Sequence, residues 1–294
     1  MTSDPASSAD DSRKVERLVQ GVQTSDGAGV RLTRVLTQQL QRRLDPFLML
    51  DAFRNENPED YIGGFPDHPH RGFETVTYLL EGRMEHGDSR GNRGRLGPGD
   101  VQWMTAGSGV VHSEMPEAEF AARGGRMHGF QLWVNLPRKD KLMAPRYQEV
   151  PAAQIPVGRS ADGRVTARVL AGEALGARAV IDTRTPIAYL DVTLAPGAVL
   201  EQPLPEDFNA FAYVVEGSGL FGAERTAAGP HQLALFKNDG GAARLEAAAD
   251  APLRALLIGG RPLDEPVARA GPFVMNTRAE VVQAFEDFQS GRLG

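Results

Sequence analysis

The chain contains no cysteine among its 294 residues. No disulfide framework is therefore available, and any bound transition metal must be held by nitrogen and oxygen ligands. The sequence also lacks an apolar run of roughly 18 residues or more, which argues against a membrane-spanning helix. The residues before Lys14 are rich in Ser, Asp and Ala and lack the apolar stretch of a secretory signal, so we expect a cytoplasmic protein.

Basic residues are fewer than acidic residues in this chain. The chain has 32 Lys and Arg against 38 Asp and Glu, which gives a formal net charge of −6. A protein that binds nucleic acid normally presents a clustered basic face, and the sequence has no Lys/Arg-rich cluster. This balance argues against direct contact with nucleic acid, whereas it is compatible with docking to a protein partner.

Glycine and proline, in contrast, are plentiful. The 33 glycines and 20 prolines imply many turns, which suit short β-strands better than long helices. Segments rich in β-branched and aromatic residues lie between these turns and predict an all-β protein. The clearest predicted strands are 74–80, 101–104, 130–135, 188–194 and 253–258.

One short helix is predicted near the end of the chain. Thr277 and Glu280 have the spacing of a capping box, in which the two side chains satisfy the first free amides of a helix. An apolar stripe follows, and Gly291 ends the segment. The pattern indicates a packing helix and implies no chemistry of its own.

Two short motifs contain three of the six histidines. His68 and His70 form a His-Pro-His motif, and His112 begins a His-Ser-Glu motif that ends at Glu114. Residues i and i+2 of a strand point to the same face, so each motif delivers two side chains to one place. Three imidazoles and a carboxylate on two strands predict a first coordination shell for a transition metal.

The two halves of the chain resemble each other. Residues 68–82 align without gaps on residues 203–217, and both segments end in Glu-Gly. A repeat of more than about 100 residues predicts a duplicated domain. Pro203 and Pro205 occupy the positions of the two histidines in the second copy, and no His-x-Glu occurs near residues 243–246. Only the first half is therefore expected to bind metal.

These motifs, taken together, resemble the pirin family of the cupin superfamily. The resemblance covers nearly all of the chain beyond the first residues. It implies an all-β fold of two cupin-type β-barrels (double-stranded β-helices) in tandem, with a metal in the first one only. The matching stretches are 65–78, 97–107, 109–116, 131–137, 145–148 and 271–277.

The predicted organisation follows from the repeat, the composition and the resemblance. The boundary between the barrels is placed in a charged segment that prolines interrupt, as is typical of a linker. The predicted parts are a disordered tail at 1–14, a metal-binding cupin barrel at 15–136, a linker at 137–151, a cupin barrel without metal ligands at 152–265, and a C-terminal segment with the helix at 266–294.

The resemblance also assigns the ligands of the metal. It implies an iron ion held by His68, His70, His112 and Glu114, whereas many other cupins use the carboxylate four residues after the His-x-His motif, which here is Glu74. Glu114 is favoured because it shares a strand face with His112. Glu74 is then expected beside the ligands, where it would orient an imidazole.

The donor set limits the identity of the metal. A structural zinc site normally uses cysteine, which is absent. Histidine and carboxylate ligands with open positions are typical of Fe(II) oxygenases, although other divalent transition metals bind the same donors. Fe(II) is the expected cofactor.

The resemblance supports two kinds of function. The first is a dioxygenase of the quercetin 2,3-dioxygenase type, which takes a small aromatic, flavonol-like substrate and O2, with Glu114 or Glu74 as the catalytic base. The alternative is a non-enzymatic, iron-dependent regulator that docks a protein partner, as animal pirins do in transcription. A bicupin enzyme with an unrelated small substrate also fits the residues.

Two other polar residues have open interpretations. Arg71 follows the His-x-His motif directly and would either steer an anionic substrate toward the metal or form a surface ion pair. His86 stands beside Gly87 and Asp88 and is expected to be a solvated turn residue.

Overall fold

The computed structural model describes residues 11–293. These residues form mostly β-structure, which confirms the all-β prediction. None of their helices has the length and apolar character needed to cross a membrane. The helices are α1 (Ala118–Arg123) and α2 (Arg278–Gln289), and single turns of 3-10 helix occupy Gln38–Leu40, Pro58–Asp60, Arg138–Asp140 and Ala152–Gln154. The strands are β1 (Val15–Gln20), β2 (Val22–Asp26), β3 (Val30–Leu36), β4 (Phe47–Asn55), β5 (Phe65–His70), β6 (Phe73–Glu81), β7 (Met84–Asp88), β8 (Arg93–Leu96), β9 (Val101–Thr105), β10 (Val110–Pro116), β11 (Met127–Asn135), β12 (Arg146–Val150), β13 (Val157–Arg159), β14 (Val165–Ala171), β15 (Glu173–Ala174), β16 (Ala177–Arg178), β17 (Ile187–Leu194), β18 (Val199–Pro203), β19 (Asn209–Gly217), β20 (Gly219–Phe221), β21 (Thr226–Ala228), β22 (Gln232–Phe236), β23 (Ala242–Ala247), β24 (Leu253–Gly260), β25 (Ala268–Ala270) and β26 (Phe273–Met275).

The described residues divide into two compact units. Residues 22–154 and 263–293 form one unit, which we call the first barrel. Residues 11–21 and 155–262 form the other unit, which we call the second barrel.

The first barrel contains a large sheet and a small sheet. The large sheet has seven strands in the order β12-β9-β6-β11-β4-β3-β2, and the small sheet has four in the order β5-β10-β7-β8. Leu79 of the large sheet shares an apolar cluster with Met84 and Leu96 of the small one. This burial of apolar surface between the sheets holds them together.

The second barrel repeats the arrangement. Its large sheet has the order β1-β22-β19-β24-β17-β14-β13, and its small sheet the order β18-β23-β20-β21. The aligned sequence segments fall on corresponding strands, β5 with β6 and β18 with β19. Their shared terminal glycines, Gly82 and Gly217, both have a positive φ, of 96° and 76° respectively.

The N-terminal boundary differs from the one predicted. Strand β1 pairs antiparallel with β22, so residues 15–20 lie in the second barrel. Arg13 is fully buried and donates to the backbone oxygens of Pro205, Phe208 and Gly240. Residues 11–14 are therefore ordered, because three carbonyls satisfy a buried guanidinium. Residues 1–10 of the predicted tail lie outside the described residues.

The predicted linker also carries structure. Residues 146–150 form strand β12, which pairs with β9, and Lys141 is buried in the first barrel. The C-terminal segment belongs to the first barrel as well. The predicted capping box is present: the Glu280 amide donates to Thr277 Oγ1 at 3.2 Å, and the Thr277 amide donates to Glu280 Oε2 at 2.8 Å.

The left-handed backbone at Gly217 gives a test of the second barrel. A Cβ there would meet the carbonyl oxygen of Pro252 inside van der Waals contact, in a conformation that other residues rarely adopt. We expect Gly217→Ala to lower the free energy of unfolding by about 1–3 kcal/mol in a urea titration. Gly229→Ala is the control, since its Cβ would find only Gln232 Oε1, at 4.0 Å. Equal urea midpoints for Gly217→Ala and Gly229→Ala would contradict the left-handed, closely packed backbone described at Gly217.

Candidate metal centre

Two neighbouring strands of the small sheet carry the predicted ligands. Strands β5 and β10 are antiparallel, with His112 opposite His68 and Val110 opposite His70. The register shifts between His112 and Glu114, where the ladder has an irregularity. Because side chains alternate along each strand, the three histidines and Glu114 project from the same face of the sheet.

The structure brings the three predicted histidines together. One nitrogen from each of His68, His70 and His112 can be chosen so that all lie within 4.8 Å of one another. The Nε2 atoms of His68 and His70 are 3.0 Å apart. Two adjacent ligands, each about 2.1 Å from one ion and at right angles, would be separated by about the same distance. The geometry therefore fits a metal between these imidazoles.

The hydrogen-bond partners of the imidazoles also fit a metal. His68 Nδ1 lies 2.8 Å from the carbonyl oxygen of Pro66, so the proton belongs on Nδ1 and the Nε2 lone pair is free to coordinate. His112 is fully buried, and neither of its ring nitrogens has a hydrogen-bond partner within residues 11–293. A buried polar nitrogen without a partner costs about 1–3 kcal/mol. A coordinated metal ion would remove this cost for one nitrogen.

Burial keeps two of the imidazoles in their ligating form. Burial lowers the pKa of His70 well below its ordinary value, and the neighbouring histidines lower it further. Burial also lowers the pKa of His112 to about 4, although Glu114 opposes the shift. Both side chains are neutral at physiological pH, and the neutral imidazole is the form that binds metals.

Glu114 is buried, ionised and held in place. Burial would raise the pKa of its carboxyl, but the neighbouring histidines and two hydrogen bonds outweigh burial and lower the pKa. Thr77 Oγ1 donates to Oε1 at 2.8 Å and Gln131 Nε2 donates to Oε2 at 2.9 Å. Trp133 Nε1 donates to Gln131 Oε1 at 3.2 Å and so orients the amide. Each carboxylate oxygen retains lone-pair capacity for a further partner.

Sequence reasoning missed the two residues that orient Glu114. Thr77 and Gln131 are cross-strand partners on β6 and β11 of the large sheet. Strand alternation could have placed them on one face. Nothing in the sequence, however, indicates which face of the large sheet meets the small sheet's histidines.

The prediction that Glu74 lies beside the ligands is not supported. On β6, Thr77 reaches Glu114, and the ring of Phe73 lies 5.0 Å from that of His70, so the odd-numbered side chains face the site. Glu74 points to the opposite face by strand alternation. Its Oε1 accepts a hydrogen bond from Thr105 Oγ1 at 2.6 Å. The structure therefore does not place Glu74 where it could orient an imidazole or act as a base at the histidines.

His86 also differs from its prediction. It is buried, stands opposite Glu114 in the pairing of β7 with β10, and contacts the Glu149 carboxylate through Nε2. The ring of Tyr147 stacks on it at 5.2 Å. Tyr147 and Glu149 lie on strand β12, in a segment that was predicted to be a linker. Their contacts with His86 could therefore not be foreseen from the sequence.

Comparison with known proteins identifies the family of the chain and agrees with its fold. A family model described as Pirin matches residues 29–134, and another described as Pirin C-terminal cupin domain matches residues 189–294. The chain belongs to the pirin family.

Individual pirins align over nearly their whole length. A pirin-like protein of Caulobacter vibrioides is 51% identical, covering 95% of this chain and 99% of its own. A pirin-like protein of Solanum lycopersicum is 47% identical, covering 96% of this chain and 93% of its own. The crystal structure of quercetin 2,3-dioxygenase from Acinetobacter baumannii is 35% identical, with a TM-score of 0.89 and coverage of 96% and 98%. These matches confirm the pirin resemblance and the two-cupin fold, and with the three histidines they imply a divalent metal.

In the second barrel of this pirin, the two strands that correspond to β5 and β10 carry mainly apolar side chains at their pairing. In the pairing of β18 with β23, Leu200 stands opposite Leu245 and Gln202 opposite Ala243. Leu200, Leu245 and Ala243 belong to the barrel's apolar core. Within residues 11–293, the three-histidine group has no counterpart in this barrel.

The lowered pKa values make the metal-free pirin sensitive to acid. In the unfolded chain His112 has its ordinary pKa of 6.5, against about 4 in the fold, so below pH 6.5 the unfolded state binds more protons. Stability present above pH 6.5 is therefore lost as the pH falls toward 4. The contribution of His112 is up to about 3 kcal/mol, at about 1.4 kcal/mol per pKa unit.

Urea titrations at several pH values, on protein stripped of metal by a chelator, measure this loss. The variant His112→Asn should show a shallower decline of stability between pH 6.5 and 4. Parallel declines in the wild type and the variant would contradict the assignment of the lowered pKa to His112.

Proposed function

We propose that this pirin is an Fe(II)-dependent dioxygenase of the quercetin 2,3-dioxygenase type. The iron would be held by His68, His70, His112 and Glu114. The observation that carries the proposal is the convergence of three imidazoles, two of them held neutral, on the face that also carries an ionised and oriented carboxylate. The similarity to the Acinetobacter baumannii quercetin 2,3-dioxygenase supports the reaction type.

The donor set favours a metal that performs redox chemistry. Three nitrogens and one oxygen leave open positions on an ion that prefers five or six ligands, as in non-haem iron oxygenases. When bound, Fe(II) would supply Lewis acidity toward a substrate oxygen and electrons toward O2.

Aromatic rings lie close to the proposed ligands. Trp133 packs against Phe73 at 4.4 Å and against His70 at 5.2 Å. Tyr147 stacks on His86, which stands opposite Glu114 on the neighbouring strand. Flat apolar rings of this kind suit a planar aromatic substrate such as a flavonol.

The carboxylate of Glu114 is our proposed base for the substrate hydroxyl. It is ionised, and its hydrogen bonds from Thr77 and Gln131 fix its orientation while leaving lone-pair capacity on both oxygens. A general base must lie within hydrogen-bond reach of the proton that it takes. Glu114 lies near His112 and His68, which supports this role, whereas Glu74 faces away from them.

Two conservative substitutions test this proposal. Protein loaded anaerobically with Fe(II) receives quercetin and O2, and the loss of flavonol absorbance and the release of carbon monoxide are followed. We expect turnover by the wild type, at least a tenfold loss in Glu114→Gln, and little change in Glu74→Gln, since Glu74 lies on the opposite face of β6 and accepts a hydrogen bond from Thr105. His68→Ala sets the background.

Turnover no higher than the His68→Ala background would contradict the dioxygenase proposal and favour the regulator that docks a protein partner. Equal losses in the two glutamate variants would contradict the assignment of the base.

A further inference from the structure

The C-terminal segment, which we define as residues 263–293, lies against the end of ligand strand β5. Arg71 directly follows the ligand His70. Its amide donates to the carbonyl oxygen of Pro272 at 3.3 Å, and its own carbonyl accepts from the Val274 amide at 3.0 Å. Arg71 and Phe273 thereby form a parallel bridge between the two segments.

The side chain of Arg71 connects the same segment to the second ligand strand. Its Nη1 donates to Asp287 Oδ2 of α2 at 2.8 Å, and its Nε donates to the carbonyl oxygen of Ser108 at 2.6 Å. Ser108 lies in the turn that leads into β10 and His112. The Arg71 and Asp287 side chains are only 10% and 16% exposed. Arg71 is thus committed to an internal ion pair and does not steer a substrate.

Further polar contacts fix this junction. Asp287 also accepts from Gln283 Nε2 at 3.0 Å and from Arg292 Nη2 at 2.9 Å. On the other side, the buried Lys141 ammonium donates to the carbonyl oxygens of Gly72 at 2.8 Å and Val274 at 2.9 Å. Since the Arg71, Gln283, Arg292 and Lys141 donors named here all have acceptors, breaking these contacts is costly.

The position of His70 depends on this backbone junction. The Nε2 atom of His70 faces His68 at 3.0 Å, so Nδ1 is the nitrogen on the outer side of the ring. Within residues 11–293 this Nδ1 has no hydrogen-bond partner, so no hydrogen bond of its own fixes the ring on that side. The backbone of the adjacent Arg71, held between Pro272 and Val274, therefore helps to determine where the imidazole stands.

We propose that the C-terminal segment positions the histidines of the metal centre. Arg71 and Asp287 act as the positioning residues. They fix the backbone directly after His70 and hold the β5 and β10 strand ends in register, so that His70 Nε2 meets the metal. The inference rests on the proposed metal site and extends it to residues more than 200 positions away in the sequence.

The test compares metal binding by two variants with matched ion pairs. Asp287→Asn removes the charge that pairs with Arg71. The control, Glu201→Gln, acts on the Arg244–Glu201 pair of the second barrel, which has a similar N–O distance of 2.8 Å and similar exposure. Co(II) affinity is measured by chelator competition, and the visible spectrum of the Co(II) protein is recorded, well below each variant's unfolding temperature.

We expect Asp287→Asn to weaken Co(II) binding by about tenfold and to change the spectrum, as substitutions of residues that orient ligands do. Glu201→Gln should bind as the wild type does. A merely structural role for Asp287 would lower the unfolding temperature and leave affinity and spectrum unchanged, which would overturn the inference.

A second variant covers the case in which Asp287→Asn does not fold. Arg71→Lys keeps the positive charge near Asp287 but lacks the guanidinium fork that reaches both Asp287 and Ser108. The same loss of affinity is expected, and wild-type affinity in the folded variant would overturn the inference while the metal site stands. Absence of Co(II) binding by the wild type would instead contradict the proposed function.

Discussion

The pairing of β5 with β10 is the constraint on which the site depends. With His112 opposite His68, strand alternation sends the three imidazoles and Glu114 to one face. A shift of one residue in this pairing would turn the imidazoles of one strand away from those of the other. The large sheet supplies Thr77 and Gln131 to orient the carboxylate, and the C-terminal segment fixes the ends of the two ligand strands.

Much of this arrangement could be predicted from the sequence. The His-x-His and His-x-Glu motifs predicted which side chains share one face, because period-two spacing on a strand is a local property, and the structure brings the three histidines together. The duplication and the prolines of the second copy predicted the asymmetry between the barrels, and the pirin resemblance predicted the fold. The capping box of α2 is also local, and the structure contains it.

The parts that could not be predicted depend on contacts distant in sequence. Strand β1 pairs with β22, and β12 completes the large sheet of the first barrel, although both lie in segments with weak strand patterns. The ion pair of Arg71 with Asp287 joins the ligand strand to the last helix. Glu74 shows that motif spacing alone does not determine which face of a strand carries a side chain. Its distance from the His-x-His motif fits a cupin ligand, but the phase of β6 sends Phe73 toward the site and Glu74 away from it.

The metal site formed by β5 and β10 is tested most directly by X-ray absorption spectroscopy on the iron-loaded protein, together with the metal content of the same sample. A site held by His68, His70, His112 and Glu114 predicts one ion per chain, with scattering from three imidazoles and from the oxygen of a carboxylate that is lost in Glu114→Ala. Two ions per chain, or a first shell with fewer than three imidazoles, would contradict it.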